Sequence, residues 1–349
     1  MKILIVKIAA IGDVVMALPL LTSIRSHHPH AHVTWICGKQ VESLLIATGQ
    51  VDRLISVGET SLYKGSIFRR LWTMLGIWLQ IAGHSYDLCL TCHPDPRYQW
   101  ISFPIFCKTR RSCNRLEGRI NPVPGRYHTD EYLRLLNESD TPMMSPPRFP
   151  KLHLPQNPSL EKLMATLGDR PIVAIAPGGA KNILADDGLR RWPPASYASL
   201  AKKLAGLPIH LAITGGESDG WIKKYFREIP YVDLIGKFEL LDFIAFLKYC
   251  SLFITHDSGP LHLAKLAECP TIALFGPTMP AEKTGPNEKI KVIWAGERLA
   301  CRPCYDGKTY APCKNNLCLS SISPDKIFDE ASKNLSAMSG KKRCAEISR

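Results

Sequence analysis

The sequence predicts an α/β protein with two Rossmann-like domains, and three observations support this. Apolar runs alternate with stretches of helical periodicity, which is typical of βαβ units with a mostly parallel sheet. The alternation occurs twice along 349 residues, a length that suits two cores better than one. Between the two cycles, six prolines fall between Thr141 and Pro158. They interrupt regular structure there because proline lacks a backbone donor.

The first cycle is predicted to open with a strand, a tight turn and a helix. An apolar run from Lys2 to Ile8 precedes Gly12 and Asp13, and apolar residues then recur at helical spacing from Val14 to Ile24. Further strands are predicted over 31–36 and 86–91, which are rich in β-branched and aromatic residues. These elements belong to a predicted first domain over residues 1–150.

The second cycle follows a predicted linker over 151–170 and makes up a second domain over 171–325. Strands are predicted over 171–176, 209–214, 252–255 and 271–275, with helices over 197–204 and 240–249. Each strand ends in a turn of small or polar residues, and the carboxyl ends of such strands are where ligands bind in open α/β sheets. Residues 326–349 are predicted to form a basic C-terminal tail, which is helical at first from Pro324 and strongly basic and polar after Lys341.

The net charge of +13 indicates anionic partners. Nucleic acid is disfavoured, because no basic helix, zinc finger or basic-aromatic platform is present. With no signal-peptide pattern, and no apolar stretch longer than Leu71–Gly83, a cytoplasmic location is expected. Arg69 and Arg70 precede the apolar segment 71–79, and two interpretations stay open: a core helix, or a helix in the interface of an anionic membrane.

The strongest local signal for ligand binding is the segment from Thr255 to Ala264. A strand runs into the turn Asp257–Ser258–Gly259, and a helix carrying His262 follows. Unpaired amides and the positive end of the helix dipole favour a phosphate at such a helix start. The alternative is that Asp257 or Ser258 only caps the helix.

Basic residues accompany the other turns of the second domain. Lys181 follows Pro177-Gly178-Gly179, and Arg190 lies shortly before the next helix. Cations beside a diphosphate leaving group offset the negative charge that develops as the glycosidic bond breaks. No Asp-x-Asp motif follows a strand, so fixed positive charge is expected to replace a divalent metal, and no cofactor is expected.

Asp13 has two interpretations. It could cap the following helix, or it could face a ligand and remove a proton from an acceptor hydroxyl as a general base. Four cysteines near the C-terminus are also ambiguous. Cys301, Cys304, Cys313 and Cys318 could hold a structural zinc ion, or they could be free thiols or form an occasional disulfide.

An ordered set of motifs resembles glycosyltransferase family 9, the heptosyltransferases that build the inner core of lipopolysaccharide. The resemblance runs from residue 1 to about residue 325 and rests on these motifs: Lys2-Ile3-Leu4-Ile5-Val6-Lys7, Ile11-Gly12-Asp13-Val14-Val15, Leu18-Pro19, Pro177-Gly178-Gly179, Arg191-Trp192-Pro193, Gly215-Gly216-Glu217, Asp257-Ser258-Gly259-Pro260-Leu261-His262 and Ala273-Leu274-Phe275-Gly276-Pro277-Thr278.

This resemblance implies a GT-B type fold, in which two Rossmann-like domains face each other across a cleft. It implies ADP-heptose as donor, a lipopolysaccharide inner-core acceptor, no metal, and inversion at the anomeric carbon. The acceptor would bind the first domain and the nucleotide sugar the second. The glycolipid acceptor would place the protein at the inner face of the cytoplasmic membrane by peripheral contact.

The resemblance also implies roles for single residues. Asp13 falls on the proposed catalytic base, and Glu217 on an acidic residue near the nucleotide ribose. Arg190 occupies a position where lysine is common, so a planar guanidinium stands in place of a compact ammonium group. The remaining matches are contacts to the donor phosphates and sugar: Asp257, Ser258, Gly259 and His262.

Three alternatives to this activity remain open at the level of the sequence. The chain could be a family member that uses another nucleotide sugar or another acceptor. It could be a nucleotide-sugar epimerase on the same scaffold, which would turn over donor without any acceptor. It could also be a catalytically silent binding protein that retains the nucleotide pocket, an interpretation that loss of Asp13 would have favoured.

Overall fold

The computed structural model describes residues 1–93, 95–113, 123–137, 146–181, 186–296, 298–305 and 309–347. The chain forms two compact units. Unit 1 comprises Met1–Leu154 together with Asn182–Ala185 and Ala281–Pro286 from the second half of the chain. Unit 2 is made of Pro155–Lys181, Asp186–Pro280 and Asn287–Arg349.

Unit 1 is built on a five-stranded sheet whose strand pairs are all parallel. Its strands are β1 (Lys2–Val6), β2 (His32–Gly38), β3 (Arg53–Val57), β4 (Ser85–Thr91) and β5 (Phe106–Ser112). The strand order is β3-β2-β1-β4-β5. The order reverses between β1 and β4, and ligands of open α/β sheets bind at such a switch point.

The sheet of unit 2 has six strands, again paired in parallel. These are β6 (Ile172–Ala176), β7 (His210–Gly215), β8 (Val232–Ile235), β9 (Leu252–His256), β10 (Thr271–Phe275) and β11 (Ile290–Trp294). The order is β11-β10-β9-β6-β7-β8, which is the doubly wound Rossmann order. The switch point lies between β6 and β9.

Helices connect the strands in both units. The first half of the chain has α1 (Ile11–Ala17), α2 (Pro19–His27), α3 (Glu42–Ala47), α4 (Glu59–Tyr63), α5 (Ile67–Ile81) and α6 (His128–Asn137). The second half has α7 (Pro158–Leu167), α8 (Pro194–Leu204), α9 (Leu240–Leu247), α10 (Gly259–Leu266), α11 (Pro280–Thr284), α12 (Leu317–Ser320) and α13 (Pro324–Ile347). Short 3₁₀ segments cover Lys39–Val41, Pro96–Ser102, Gly188–Arg190 and Glu217–Tyr225.

Each unit has its own apolar core. Strands β1, β6, β9 and β10 are almost wholly buried, as expected for central strands of parallel sheets covered on both faces. In unit 2, Trp192 is fully buried and its indole N–H donates to the carbonyl of Ile322 at 3.1 Å. The core of each unit therefore holds its strand ends in place, and the site residues follow those ends.

Three details differ from the sequence predictions. The helix expected from Val14 to Ile24 is two helices, because Pro19 begins a second one. The segment 151–170, predicted as a linker, contains helix α7. The predicted tail over 326–349 lies mostly within α13, in agreement with the helix expected from Pro324, but it is not a separate tail, because Ile327 and Ala331 pack into the core of unit 2 with no exposed surface.

The proline-rich segment agrees with its prediction where it is described. Residues 146–157 form neither helix nor strand. Pro142, the first of the six prolines, lies outside the described residues.

Candidate active site

Asp13 lies at the third position of α1, close to the switch point of unit 1. The helix begins at Ile11 and its N-cap position is Ala10, which has no side chain able to cap it. The interpretation of Asp13 as an N-cap is therefore wrong. Its carboxylate contacts the ammonium of Lys7, with Oδ2 and Nζ 3.3 Å apart, and 36% of its side chain remains exposed.

The charge around Asp13 is positive. Burial by itself raises the pKa of Asp13, but the coulombic effect of Lys7, followed by that of Lys283, outweighs burial and holds the pKa well below its usual range. Lys7 is only 1% exposed, and its ammonium lies 5.3 Å from the ring centre of Tyr132. Asp13 is therefore ionised throughout the neutral range.

A stacked aromatic pair lies near Asp13 at the end of β4. The ring centres of His93 and Tyr98 are 3.6 Å apart and the rings are nearly parallel, with an angle of 7° between them. Burial, together with the charge of Lys7, lowers the pKa of His93 to about 3. His93 is therefore neutral near pH 7, and it adds no positive charge to the carboxylate's surroundings.

Residues 281–286 supply Lys283 to unit 1. Glu282 accepts a hydrogen bond from the amide of Gly125 at 2.8 Å. Gly285 has a φ of +57°, and a Cβ there would come within 2.6 Å of the Tyr127 ring. Sequence reasoning missed Lys283, because an interaction with a residue so far away in the chain leaves no local pattern.

In unit 2, the turn between β9 and α10 has the form expected of a phosphate site. Ser258 occupies the N-cap position of α10 in extended geometry, but its side chain does not cap the helix. Its hydroxyl donates instead to the carbonyl of His256 at 3.2 Å. Asp257 precedes the N-cap position, and its carboxylate accepts from the Thr278 hydroxyl at 2.8 Å. The interpretation of Ser258 as a side-chain cap is therefore wrong.

Arg190 and Asp257 form a charged pair beside this turn. Their closest atoms, Nη1 and Oδ2, are 3.6 Å apart, and Asp257 is 2% exposed. Arg190 also pairs with Asp187 at 2.8 Å. Burial lowers the pKa of Arg190, but the nearby Asp257 carboxylate and other groups raise it above its ordinary value, so the guanidinium is always charged.

Asp219 ties two glycine turns together, and sequence reasoning missed it. Its carboxylate accepts hydrogen bonds from the amides of Gly179 and Gly216, both at 2.9 Å. A Cβ at Gly178 would come within 2.4 Å of the Asp219 carboxylate. Gly179 has a φ of +77°, which other residues rarely adopt, and it lies beside Ser258. Asp219 therefore positions the backbone of the turn after β6 next to the turn after β9.

Replacing Asp219 with alanine should loosen both turns. Two partly buried amides would lose their acceptor, which costs about 2 kcal/mol of unfolding free energy. The affinity for the nucleotide that the sequence predicts as ligand should fall with it. Thermal unfolding and calorimetric titration with ADP measure the two effects. The control is Glu228→Ala, which removes an exposed carboxylate from the same unit and should change neither quantity.

His256 is a buried group next to the turn. Its Nδ1 lies 2.9 Å from the Tyr197 hydroxyl, and within the described residues its Nε2 has no hydrogen-bond partner. Burial lowers the pKa of His256 to about 3, with a further contribution from Arg190. The imidazole is therefore neutral, and it supports the end of β9 without adding charge.

The structure brings some of the predicted donor residues together and leaves others apart. The turn after β9 consists of Asp257, Ser258 and Gly259, and Arg190 lies beside it. His262 is buried in the first half of α10. Lys181 and Glu217 have exposed side chains, and neither has a recorded side-chain contact with Arg190 or Asp257 among the described residues. Their roles stay predictions.

The four C-terminal cysteines line one cavity of about 200 Å³. Cys301 and Cys313 are exposed, Cys304 is partly buried and Cys318 is buried. Within the described part of the chain, no three His, Cys, Asp or Glu side chains are grouped so that they could hold a metal ion. Structural zinc stays a prediction, and metal analysis of the purified protein tests it.

Comparison with known proteins agrees with this architecture. The sequence model of glycosyltransferase family 9 (heptosyltransferase) matches residues 113–314. Lipooligosaccharide heptosyltransferase 2 of Campylobacter jejuni subsp. jejuni serotype O:2 is 26% identical over 344 residues, covering 96% of this chain and 98% of the relative. The Haemophilus influenzae protein of that name is 26% identical over 321 residues, with 84% and 88% covered.

Solved structures show the same fold. A family 9 glycosyl transferase from Veillonella parvula superposes with a TM-score of 0.75 at 20% identity, covering 96% of this chain and 97% of that one. E. coli ADP-heptose lps heptosyltransferase II gives a TM-score of 0.72 at 18% identity, with 97% and 100% covered. The predicted α/β fold of GT-B type is confirmed. The chain therefore belongs to glycosyltransferase family 9, the heptosyltransferases, and is a glycosyltransferase.

Proposed function

We propose that this enzyme transfers heptose from ADP-heptose to an inner-core acceptor of lipopolysaccharide, without a metal and with inversion at the anomeric carbon. The observation that carries the proposal is the pairing of Arg190 with Asp257 beside the start of α10. The side chain of the N-cap residue, Ser258, does not cap this helix start. A fixed cation and helix-end dipoles are what a diphosphate leaving group requires in the absence of a divalent ion.

In this proposal, unit 1 supplies the base. Asp13 takes the proton of the acceptor hydroxyl as the oxygen attacks the anomeric carbon, and the bond to the ADP oxygen breaks in the same step. A carboxylate with a lowered pKa is a weak base, but it is fully ionised, and it need only accept a proton that the forming bond makes acidic. Lys7 fixes the position of this carboxylate.

Unit 2 binds the donor in this proposal. The diphosphate lies at the start of α10, where Gly259 allows close approach of the main chain. Arg190 stabilises the departing ADP, and Asp219 holds the glycine turns that face the phosphates. Lys181 is proposed to stabilise the departing ADP together with Arg190, and Glu217 and His262 are proposed to contact the rest of the nucleotide sugar. ADP-heptose appears in the name of the E. coli neighbour, and this supports the choice of donor.

The acceptor is proposed to be a glycolipid at the inner face of the cytoplasmic membrane, reached by peripheral contact. Relatives named as lipooligosaccharide and lipopolysaccharide heptosyltransferases support this choice. No helix in the described ranges is both long and apolar enough to cross a membrane. The net charge of +13 suits a phosphorylated acceptor in an anionic surface.

Donor specificity tests the proposal first. Purified protein is titrated calorimetrically with ADP-heptose, ADP-glucose, UDP-glucose and GDP-mannose, and each donor is then incubated with and without a Kdo-lipid A acceptor. We expect tightest binding of ADP-heptose and release of ADP only when the acceptor is present. Tightest binding of another nucleotide sugar would assign a different donor. Donor turnover without acceptor would assign an epimerase instead.

The pH profile tests the role of Lys7. In the wild type, the pKa of Asp13 lies below its usual range, so kcat/KM should show no acid limb from Asp13 between about pH 5 and 8. Lys7→Met removes the largest charge that lowers this pKa, whereas burial still raises it. Because burial is the largest single influence on this pKa, the acid limb should move upward to about pH 5 or higher, within the measured range.

The control for this profile is Lys2→Met, which removes an exposed lysine of the same strand. Its profile should match that of the wild type. An unchanged profile in Lys7→Met, in a protein that still binds donor, would contradict the assignment of Asp13 as the group that must be ionised.

A further inference from the structure

Helix α5 of unit 1 has an apolar face that no described residue covers. Exposed apolar side chains continue from this helix onto the segment 100–106, and we refer to the whole set as the α5 patch. Nine of the exposed large hydrophobic residues belong to it: Ile67, Phe68, Leu71, Trp72, Leu75, Leu79, Trp100, Phe103 and Phe106. Phe68 is 73% exposed and Trp72 is 72% exposed, so these rings are not core residues with accessible edges.

The helix is apolar on two sides. Ile77 and Ile81 are buried and attach α5 to the core, which accounts for the part of the sequence that predicted a core helix. At about 100° per residue, the exposed apolar side chains from Ile67 to Leu79 fall within an arc of about 140°. A surface helix normally carries polar residues on that side. The interpretation as a core helix therefore describes the buried face of α5, and the interpretation as an interfacial helix describes its exposed face.

Two aromatic residues of the patch, Trp100 and Phe103, are linked to α5 through Trp78. The ring of Trp78, on α5, lies 6.4 Å from that of Phe103, which lies 5.4 Å from that of Trp100. The indole N–H of Trp78 donates to the carbonyl of Trp100 at 2.9 Å. Arg110 holds the same segment by donating to the carbonyls of residues 102 and 105 at 3.0 and 2.8 Å. The rings are therefore presented by anchored backbone.

The sequence around the patch is cationic and lacks acidic residues. No Asp or Glu occurs between Thr60 and Tyr86, or from residue 96 to residue 116. The first of these stretches contains Lys64, Arg69 and Arg70, all exposed. Among the described residues, the charged groups of Lys64 and Arg69 have no hydrogen-bond or ion-pair partner, whereas Arg70 donates to the carbonyl of Tyr63 at 2.7 Å. Positive charge thus borders the apolar surface and is free to bind anions.

We propose that the α5 patch docks on the surface of an anionic lipid bilayer, with its aromatic and aliphatic side chains in the interface and Lys64 and Arg69 on lipid phosphates. A helix of 15 residues is too short to span the hydrocarbon core, so it lies in the plane of the interface. A second copy of the chain fits less well. A two-fold contact through this patch would bring like charges together with no carboxylate from the same stretch to pair them.

This inference rests on the proposed function in one respect only: docking on a membrane would bring the enzyme to its glycolipid acceptor. Binding to vesicles needs neither donor nor acceptor, so it is measured separately. The test is flotation of the full chain with vesicles of phosphatidylglycerol and phosphatidylcholine, compared with phosphatidylcholine alone. The variant Phe68→Gln/Trp72→Gln/Leu79→Gln removes three exposed apolar side chains and keeps residues that favour a helix.

We expect the triple variant to partition at least about tenfold less onto anionic vesicles. Lys64→Gln/Arg69→Gln should weaken binding to anionic vesicles and reduce its salt dependence. The matched control is Ile46→Gln/Tyr249→Gln, because these residues are 65% and 54% exposed but lie outside the patch. It should float like the wild type. Activity on a lipid-free acceptor oligosaccharide should be equal in all variants, which shows that the site is intact.

Results of two kinds would overturn the proposal, one from vesicle binding and one from oligomeric state. One is vesicle binding by the triple variant that equals that of the wild type, or no vesicle binding by the wild type. The other is a wild-type dimer and a monomeric triple variant in light scattering, which would assign the patch to a second copy. Failure of the proposed function would appear differently, as normal flotation without heptosyl transfer.

Discussion

Asp13→Ala is expected to lower kcat for acceptor-dependent ADP release by about 10²- to 10⁴-fold, the usual contribution of a general base. The affinity for ADP-heptose should remain, since Asp13 lies in unit 1 and the proposed donor-binding residues lie in unit 2. Steady-state kinetics with a Kdo-lipid A acceptor and calorimetric donor binding separate the two effects. Asp13→Asn should lose as much activity, because an amide has the shape of the carboxylate but cannot accept the proton.

The control for this variant is Asp87→Ala, which removes a carboxylate near the amino end of β4 in the same unit. Among the described residues, this carboxylate is paired only with the exposed Lys108 and the amide of Lys2. It should retain wild-type kcat. Asp13→Ala leaves the ammonium of Lys7, which is 1% exposed, without its partner, so thermal unfolding must be measured as well. Activity within a factor of a few of the wild type in a folded Asp13→Ala protein would exclude Asp13 as the base.

Arg190→Met is expected to lower kcat by about 100-fold, because the positive charge that offsets the departing diphosphate is lost. Arg190→Lys keeps the charge but loses the planar fork, and it should cost about tenfold or less. Donor KM should change less than kcat in both variants, since the charge on the leaving group grows in the transition state. Single-turnover kinetics with saturating donor measure the chemical step.

Arg227→Met removes an exposed arginine of unit 2 and should leave kcat unchanged. Arg190→Met also leaves the buried Asp257 without this cation, so a loss of stability is expected. An equal loss of activity in Arg190→Met and Arg190→Lys would show that the shape of the guanidinium, and not its charge, is what matters. Unchanged kcat in both would contradict a role in leaving-group stabilisation.

Much of the fold can be predicted from the sequence, because central parallel strands are continuous apolar runs. Strands β1, β2, β4, β6, β7, β9 and β10 are all predicted to within a few residues. The remaining strands, β3, β5, β8 and β11, lie at the sheet edges, where burial is partial and the apolar run is broken. β5 reads Phe-Cys-Lys-Thr-Arg-Arg-Ser, a sequence that no burial rule identifies as a strand.

The candidate site is predictable where its residues follow strand ends directly. Asp13, Asp257, Ser258 and Gly259 come within a few positions of a strand, so the local pattern is enough. Groups contributed by distant segments are not predictable in this way. They reach the site through tertiary packing, and each lies in a short helix or loop without a motif that points to its contact: Lys283 and Asp219.

The most direct test of the proposed function is the product itself. Purified protein is incubated with ADP-heptose and Kdo-lipid A, and the acceptor is analysed by mass spectrometry and NMR. We predict an acceptor that gains one heptose, joined with anomeric configuration opposite to that of the donor. An acceptor that stays unmodified while ADP-heptose binds would contradict the proposed acceptor, and retention of configuration would contradict direct displacement assisted by Asp13.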